Sequence, residues 1–394
     1  MMCSETRYIG LDIHKNYMVA AGVDREQKVV LKPRRVGWER FERWMRETLR
    51  PDDRVVLEMT VNTWEVHDQL KAHVDSVTVV HPPHVALITR AQVITDRKSA
   101  LTLAKLHAAG LLVGIWVPDE HTRDLRAIIA QRAKMVRLRT QAKNRLRALL
   151  HRRQIRPPEG GDPFDPEIRD WWLSLPLSRL ELARVENDLA TLDFAQRQRD
   201  VLEGVLGEEA AKDERVPLLI QIPGVGLITA MAILGAVGQI ERFPEARKLV
   251  GYAGLGARVK ASGERRTTGG ITKSGRRDLR KAMVDAANHA VQHHPYWKPE
   301  FERLEGRLGR SRAIVAIARK LLIVVWHVLT RGEVDRRGDP EAIARSLFAH
   351  AYRVGVRNLP GGMSAREYTR YHLERLGIAD RVPEFRWGSQ RVRL

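Results

Sequence analysis

The run RPPEGGDPFDP at residues 156–166 cannot lie inside a helix, because proline lacks a backbone N–H and its ring clashes with the preceding turn. It separates two long stretches with helical spacing, RDLRAIIAQRAKMVRLRTQAKNRLRALLHRR (123–153) and RLELARVENDLATLDFAQRQRDVLEGVL (179–206). The chain must therefore turn between two long helices, which pack either as an antiparallel pair or as a dimer coiled coil. Leu125, Ile128, Ile129, Ala133 and Val136 recur at helical spacing in the first stretch, and the rest is densely basic. Arg132, Arg137, Lys143 and Arg147 are candidates to meet a phosphate backbone; a merely solvated helix face is the plainer alternative. The arm spans 119–213.

Upstream the pattern changes. YIGLDIHKNYMVAAGVDREQKVVLK has two apolar segments around GVDREQ, a hairpin signal. DRVVLEM (53–59) and SVTVVH (76–81) read as strands on either side of a helical stretch around WEVHDQLKAH. This alternation describes an α/β domain over residues 5–115. Three acids stand where its elements end or begin: Asp12 inside the first strand-like segment, Glu58 at the end of another, and Asp96 on a loop entering a helix. Carboxylates converging from separate elements suit a hard divalent cation such as Mg²⁺. Two such ions could stabilise the attacking and leaving oxygens of a phosphodiester displacement. Taken singly, a strand end and a helix cap explain Glu58 and Asp96 as well.

Downstream, IPGVG lies between two apolar helical stretches. Gly224 and Gly226 there signal a helix-hairpin-helix, whose turn offers backbone N–H groups to a phosphate; an ordinary tight turn is the alternative. TTGGITKSG lacks the G-x-x-x-x-G-K-[ST] spacing, so no ATP site is implied. RAIVAIARKLLIVVWHVLT (312–330) is interrupted by Arg319 and Lys320 and reads as the core helix of a mainly α-helical domain over 215–335. Residues 336–394 form a basic extension with scattered aromatics.

Charge narrows the partners. With 68 Lys and Arg against 48 Asp and Glu, the chain carries +20, the footprint of a protein that meets a phosphate polymer. The N-terminal MMCSETRYIGLDIHK has no apolar signal core, so a soluble, cytoplasmic protein with no membrane partner is expected. Cys3 is the only cysteine, which excludes a disulfide framework and a Cys-based zinc site within one chain. The stretch RVKASGERRTTGGITKSGRRDLR (258–280) has almost no apolar residues and reads as a loop that holds a polyanion. Ser262 in it is a candidate nucleophile. Arg258, Lys260, Arg265, Arg266, Lys273, Arg276 and Arg277 are candidate phosphate contacts, with a disordered basic loop as the alternative.

GLDIHK, LEMT, TDRKSA, IPGVGLITA and the YAGL…SGERRTTGGITKSGRRDLRKAMVDAA block, in this order, resemble the DEDD-type transposases of insertion sequences, the bridge-RNA-guided serine recombinases. The likeness runs from about residue 7 to 330. It implies a RuvC-like, ribonuclease-H-like N-terminal domain, a helical arm, and a C-terminal transposase domain with a nucleophilic serine. By position it implies Asp12, Glu58 and Asp96 as Mg²⁺ ligands and Ser262 as the nucleophile of a phosphoserine intermediate. Its implied partners are a guide RNA, donor and target double-stranded DNA, and further copies of the chain, a dimer assembling to a tetramer.

One position departs from that family. Its fourth acid follows the third by three residues, and Ser99 stands there. Helical spacing puts residues 96 and 99 on one face, and a neutral hydroxyl is a poor substitute for a carboxylate ligand. Two other functions stay open: a nucleic-acid binder that has lost catalysis, and a metal nuclease of the Holliday-junction type in which water attacks.

Overall fold

Alternation along Tyr8–Ile13 (β1) turns Ile9, Leu11 and Ile13 to one side of a sheet and Tyr8, Gly10 and Asp12 to the other. The computed structural model describes residues 6–89, 95–262 and 265–394, apart from the side chains of 87–89, 260, 265 and 266. These residues form two compact units that divide after Pro118.

The first unit is a five-stranded mixed sheet in the order β3-β2-β1-β4-β5, made of β1, Tyr17–Val23 (β2), Val29–Gly37 (β3), Arg54–Glu58 (β4) and Ser76–Val80 (β5). Strands β1 to β3 run antiparallel, and β4 and β5 run parallel to β1. Its helices are Phe41–Thr48 (α1), Thr63–Lys71 (α2), Pro82–Thr89 (α3) and Asp96–Ala108 (α4). The sequence suggests one hairpin around GVDREQ, whereas the structure has three strands here. His14, Lys15 and Asn16 break the first apolar run, and the His14 amide donates to the Tyr17 carbonyl at 2.9 Å to close a second turn.

One face of the sheet buries Ile9, Leu11, Met18, Ala20, Val55 and Leu57 with Phe41 and Trp44. The other receives α4, whose Ala100 packs on Val19 and Ala21 and whose Leu103 packs on Val56 and Val80. Gly10 makes this approach feasible, since a Cβ there would stand 2.1 Å from the Ala100 carbonyl oxygen. A backbone that close excludes any side chain, so Gly10 sets how near α4 lies to β1.

The second unit is almost wholly helical: Glu120–Arg153 (α5), Arg169–Leu173 (α6), Arg179–Lys212 (α7), Arg215–Ile220 (α8), Leu227–Val237 (α9), Ala246–Tyr252 (α10), Arg277–His293 (α11), Trp297–Leu308 (α12), Arg310–Arg331 (α13), Pro340–Val354 (α14) and Ala365–Arg375 (α15). Two hairpins complete it, Ala257–Ser262 (β6) with Arg265–Ile271 (β7), and Glu384–Trp387 (β8) with Gln390–Arg393 (β9). The long helices α5 and α7 form an antiparallel pair within one chain. Arg132 meets Glu203, Arg145 meets Asp188 and Arg153 meets Glu181, so partners on α7 descend as those on α5 rise. Such half-exposed ion pairs contribute little energy; the outer end is held by Leu146, Leu149 and Leu150 against Val185, Leu189 and Leu192. Trp172 of α6, fully buried, plugs that end and donates Nε1–H to the Pro163 carbonyl at 2.6 Å.

Among the described residues α13 alone is long and apolar enough to cross a membrane. Its Ile314, Ile317, Leu321, Leu322 and Val325 lie instead in the main core of this unit, and its Lys320 pairs with Glu300 of α12. That core extends through Leu347 and Phe348 of α14 and Tyr368 and Leu373 of α15 to Val392 of β9. Residues 336–394 are thus packed into the helical unit and carry part of its core.

Candidate functional site

Gly10 and Asp12 share a face of β1, so the contact that seats α4 also brings its first turn toward Asp12. Thr95 caps α4, its hydroxyl accepting from the Lys98 amide at 3.3 Å, and Asp96 is the first helical residue, where the helix dipole favours a carboxylate. β1 and β4 are parallel with Gly10 opposite Val56 and Leu11 opposite Leu57. Continuing that register sets Asp12 beside Glu58, both at the C-terminal edge of the parallel strands, where open α/β sheets commonly bind ligands.

The structure thereby brings Asp12 and Asp96 together, sets Glu58 beside Asp12, and adds His14, to which the sequence assigned no role. Asp12, His14 and Asp96 each place one ligand atom within 4.8 Å of the other two. His14 Nε2 lies 3.5 Å from Asp12 Oδ2 and 3.4 Å from Asp96 Oδ2. Its ring stacks on Tyr17 at 4.7 Å, and the Tyr17 hydroxyl donates to Asp96 Oδ2 at 2.8 Å. The Arg35 guanidinium also lies over Tyr17, 3.7 Å from the ring centre. Glu58 stands just outside this trio. The signal for His14 was present in GLDIHK: a histidine two residues beyond a strand aspartate, at the turn that follows the strand.

Electrostatics mark the site as short of positive charge. Burial pushes the Asp12 carboxyl up and Asp96 adds to the rise, against a lowering by His14. Burial also raises Glu58, with the Asp12 charge contributing. The hydrogen bond to Asp96 is the main cause that holds the Tyr17 phenol above its ordinary value. Crowded carboxylates with raised proton affinity are what a divalent cation relieves. His14 Nε2 is shielded from solvent and has no hydrogen-bond partner among the described residues. The donor set of two aspartates, an imidazole and a nearby glutamate fits a divalent metal. Ser99 lies one turn along α4 from Asp96, half-buried, with its amide bonded to the Thr95 carbonyl at 2.8 Å.

The stretch expected as a loop is a β-hairpin leading into a helix. Arg258 and Ser262 are exposed on β6, and the Ser262 backbone pairs with Arg265 at the hairpin's end. Strand pairing holds this chain without apolar side chains because the ladder needs only backbone groups. Gly263 and Glu264 lie outside the described residues, as do the side chains of Lys260, Arg265 and Arg266. Lys273 and Arg277 are exposed, whereas Arg276 caps α11 and pairs with Asp278. The Arg276 and Lys273 amides donate to the carbonyls of Tyr252 at 2.7 Å and Gly254 at 3.1 Å, tying the exit of β7 to the end of α10.

On the arm, Arg132 is engaged with Glu203, and Lys143 with Asp162 at 3.0 Å and the Phe164 ring at 4.5 Å. Arg147 lies over the same ring at 5.0 Å and remains exposed, as does Arg137. In the IPGVG turn Gly224 has φ +80°, and a Cβ on it would stand 2.1 Å from the Ala286 carbonyl oxygen of α11. Gly226 begins α9 with open space around it. Of the two glycines, packing accounts for Gly224 and does not account for Gly226.

Comparison with known proteins agrees in both units. Residues 216–302 match the "Transposase IS116/IS110/IS902 family", and residues 9–154 match the DEDD transposase domain of the IS110 type, described as "Transposase". A putative transposase, y4qE, of Sinorhizobium fredii is 30% identical over 281 residues, 70% of this chain and 68% of its own length. The transposase for insertion sequence element IS1111A of Coxiella burnetii is 28% identical over 272 residues, 66% of this chain and 73% of its own. The pilin gene-inverting protein of Moraxella bovis is 25% identical over 349 residues, 84% of this chain and 98% of its own.

Proposed function

This chain belongs to the IS116/IS110/IS902 family of transposases, and on that premise we propose that it exchanges DNA strands through a phosphoserine intermediate, guided by a structured RNA. The observation that carries the reading is the delivery of Asp12, Glu58 and Asp96 to one end of a sheet by β1, β4 and α4. The strand order 3-2-1-4-5, with three antiparallel strands followed by two parallel ones, supports a RuvC-like, ribonuclease-H-like first unit. Asp12 and Asp96, with Glu58 beside them, would hold the divalent cation, Mg²⁺ in the family reading. When bound, the cation supplies charge stabilisation at a phosphodiester.

The residues of this chain do the rest. Ser262, exposed at the end of β6, offers Oγ to phosphorus. The Oγ–P bond forms as a P–O bond to the deoxyribose breaks, the hydroxyl proton passes to a base, and the leaving oxygen ends as a hydroxyl. A hydroxyl of another strand reverses the step, so no nucleotide cofactor is needed. Arg258, Lys273 and Arg277, exposed around the same hairpin, would hold phosphates and offset charge in the transition state. Lys260, Arg265 and Arg266 share that role by sequence. A relative named for inverting a pilin gene supports exchange between two DNA sites as the reaction class. The net charge of +20 supports an RNA partner beside the DNA, with the guide choosing bases and the protein reading backbone.

The test is the full chain, purified with its copurifying RNA, mixed with end-labelled DNA and a divalent cation. We expect a denaturation-resistant protein–DNA adduct that Ser262→Ala abolishes without weakening nucleic-acid binding. Cutting that survives Ser262→Ala would instead mean that water attacks. Binding without adduct or cutting in the parent would mean that Ser99 marks a lost activity.

A further inference from the structure

The acid cluster contains a nitrogen donor, and the place of a fourth carboxylate is taken by Ser99, a neutral hydroxyl. We propose that His14 is a protein ligand of the metal centre, so that this site selects a borderline first-row cation such as Mn²⁺, Co²⁺ or Zn²⁺ over Mg²⁺. The inference rests on the metal-dependent reading above and adds the identity of the ion.

Distance is the first ground. His14 Nε2 stands 3.5 and 3.4 Å from the two aspartate oxygens, too far for good hydrogen bonds. Donors about 2.1 Å from one ion are separated by about 3.4 Å in a tetrahedron and about 3.0 Å at right angles in an octahedron. The observed spacing is thus close to that of ligands sharing one ion.

Shielding is the second. Nε2 itself is shielded from solvent, although 34% of the His14 side chain is exposed, and it makes no well-formed hydrogen bond among the described residues, the two carboxylates it faces lying at 3.5 and 3.4 Å. An imidazole nitrogen left unpartnered in that position is costly unless a proton or a metal lies between. The ring is also held in place. Its backbone amide donates to Tyr17 at 2.9 Å, its carbonyl accepts from Trp38 Nε1 at 3.2 Å, and its face stacks on Tyr17. Tyr17 in turn fixes Asp96 through its hydroxyl at 2.8 Å, so one turn orients two donors.

Donor chemistry is the third. Mg²⁺ prefers oxygen and dehydrates reluctantly, whereas imidazole beside carboxylate suits first-row transition ions. The second carboxylate of α4 that would pull the site toward hard cations is absent, because Ser99 occupies its turn.

Metal binding to the full, metal-stripped chain tests this directly. Titrate MnCl₂ by the electron spin resonance of free Mn²⁺, MgCl₂ by competition with bound Mn²⁺, and CoCl₂ by its visible absorption, in the parent, His14→Ala, His14→Asp and Asp12→Asn. Circular dichroism confirms that each variant is folded. The parent should bind Mn²⁺ about tenfold or more tighter than Mg²⁺, and His14→Ala should lose about tenfold or more of the Mn²⁺ affinity. The visible absorption of bound Co²⁺ should weaken with it. His14→Asp should shift preference toward Mg²⁺, which guards against a mere packing defect in His14→Ala. Mn²⁺ affinity that depends on Asp12 but is unchanged or increased in His14→Ala overturns the ligand assignment while leaving a metal site. No binding of any ion by the parent overturns the metal-dependent reading and this inference together.

Discussion

A carboxylate on a half-buried strand end opposes folding when nothing neutralises it, and Asp12 is such a residue. Its folded proton affinity is raised chiefly by burial. A carboxyl raised on folding contributes stability that is fully present below its unfolded value, near 3.8, and is lost as pH rises through the folded value. At neutral pH, without metal, the ionised Asp12 therefore works against the first unit. Asp12→Asn should raise the melting temperature of metal-free protein at pH 7 by a few degrees while removing metal binding, the trade-off seen at many catalytic sites. The gain should disappear near pH 3, where Asp12 is protonated anyway. A lower melting temperature at pH 7 would show that His14 already compensates the charge.

At the scale of elements, two glycines separated by a single residue have opposite duties. Gly224 lies at φ +80° against the backbone of α11, whereas Gly226 has ordinary φ and empty surroundings. Gly224→Ala should cost at least about 1–3 kcal/mol through backbone strain and displacement of α11. Gly226→Ala should cost about 1 kcal/mol or less, as the loss of a moderate N-cap residue for a poor one with no clash. Equal losses in thermal melts would contradict the packing account. The contact of α14 with α15 carries a pH dependence of its own. His350 is buried with neither ring nitrogen partnered among the described residues, and burial pushes it down to about 4, with the Arg353 charge adding to this. His372, across Tyr368, is likewise pushed down to about 4, first by burial and then by Arg375. Each must stay neutral in the fold, so stability present above the ordinary value of 6.5 is lost as pH falls from there to about 4. Denaturant melts of the full chain should lose on the order of 3 kcal/mol per histidine over that window. His350→Leu should flatten the profile, and an unchanged slope would place the acid sensitivity elsewhere.

Across the whole molecule, the excess of 20 positive charges sets how binding responds to salt. If six or more phosphates are contacted, RNA affinity should fall roughly a thousandfold or more between about 50 and 200 mM salt. Filter binding across that range checks it. Part of the basic arm is already neutralised within the chain, because Arg132, Arg145 and Arg153 hold carboxylates of α7. Charge reversal at Arg137 and Arg147, both exposed, should therefore weaken RNA binding more than the same change at Arg132. The reverse ranking would remove the arm as the RNA-binding face.

Local pattern was enough to reveal two long helices with a break between them, an α/β region ahead of them, and three acids at the ends of its elements. Periodicity and helix-breaking chemistry act over a few residues, so the sequence alone determines them. The choice between an antiparallel pair and a two-chain coil needed the long-range pairing of α5 with α7. The hairpin at 257–271 was hidden because backbone pairing leaves no hydrophobic trace in a polar strand. Residues 336–394 read as an extension because their apolar positions gain meaning only against α7 and α8 and the rest of that core. His14 was legible as a histidine near an aspartate, but its place between Asp12 and Asp96 depends on how closely α4 approaches β1 over Gly10. That approach joins residues some ninety positions apart, and only tertiary packing decides which donors share a site when the chain between them has folded away.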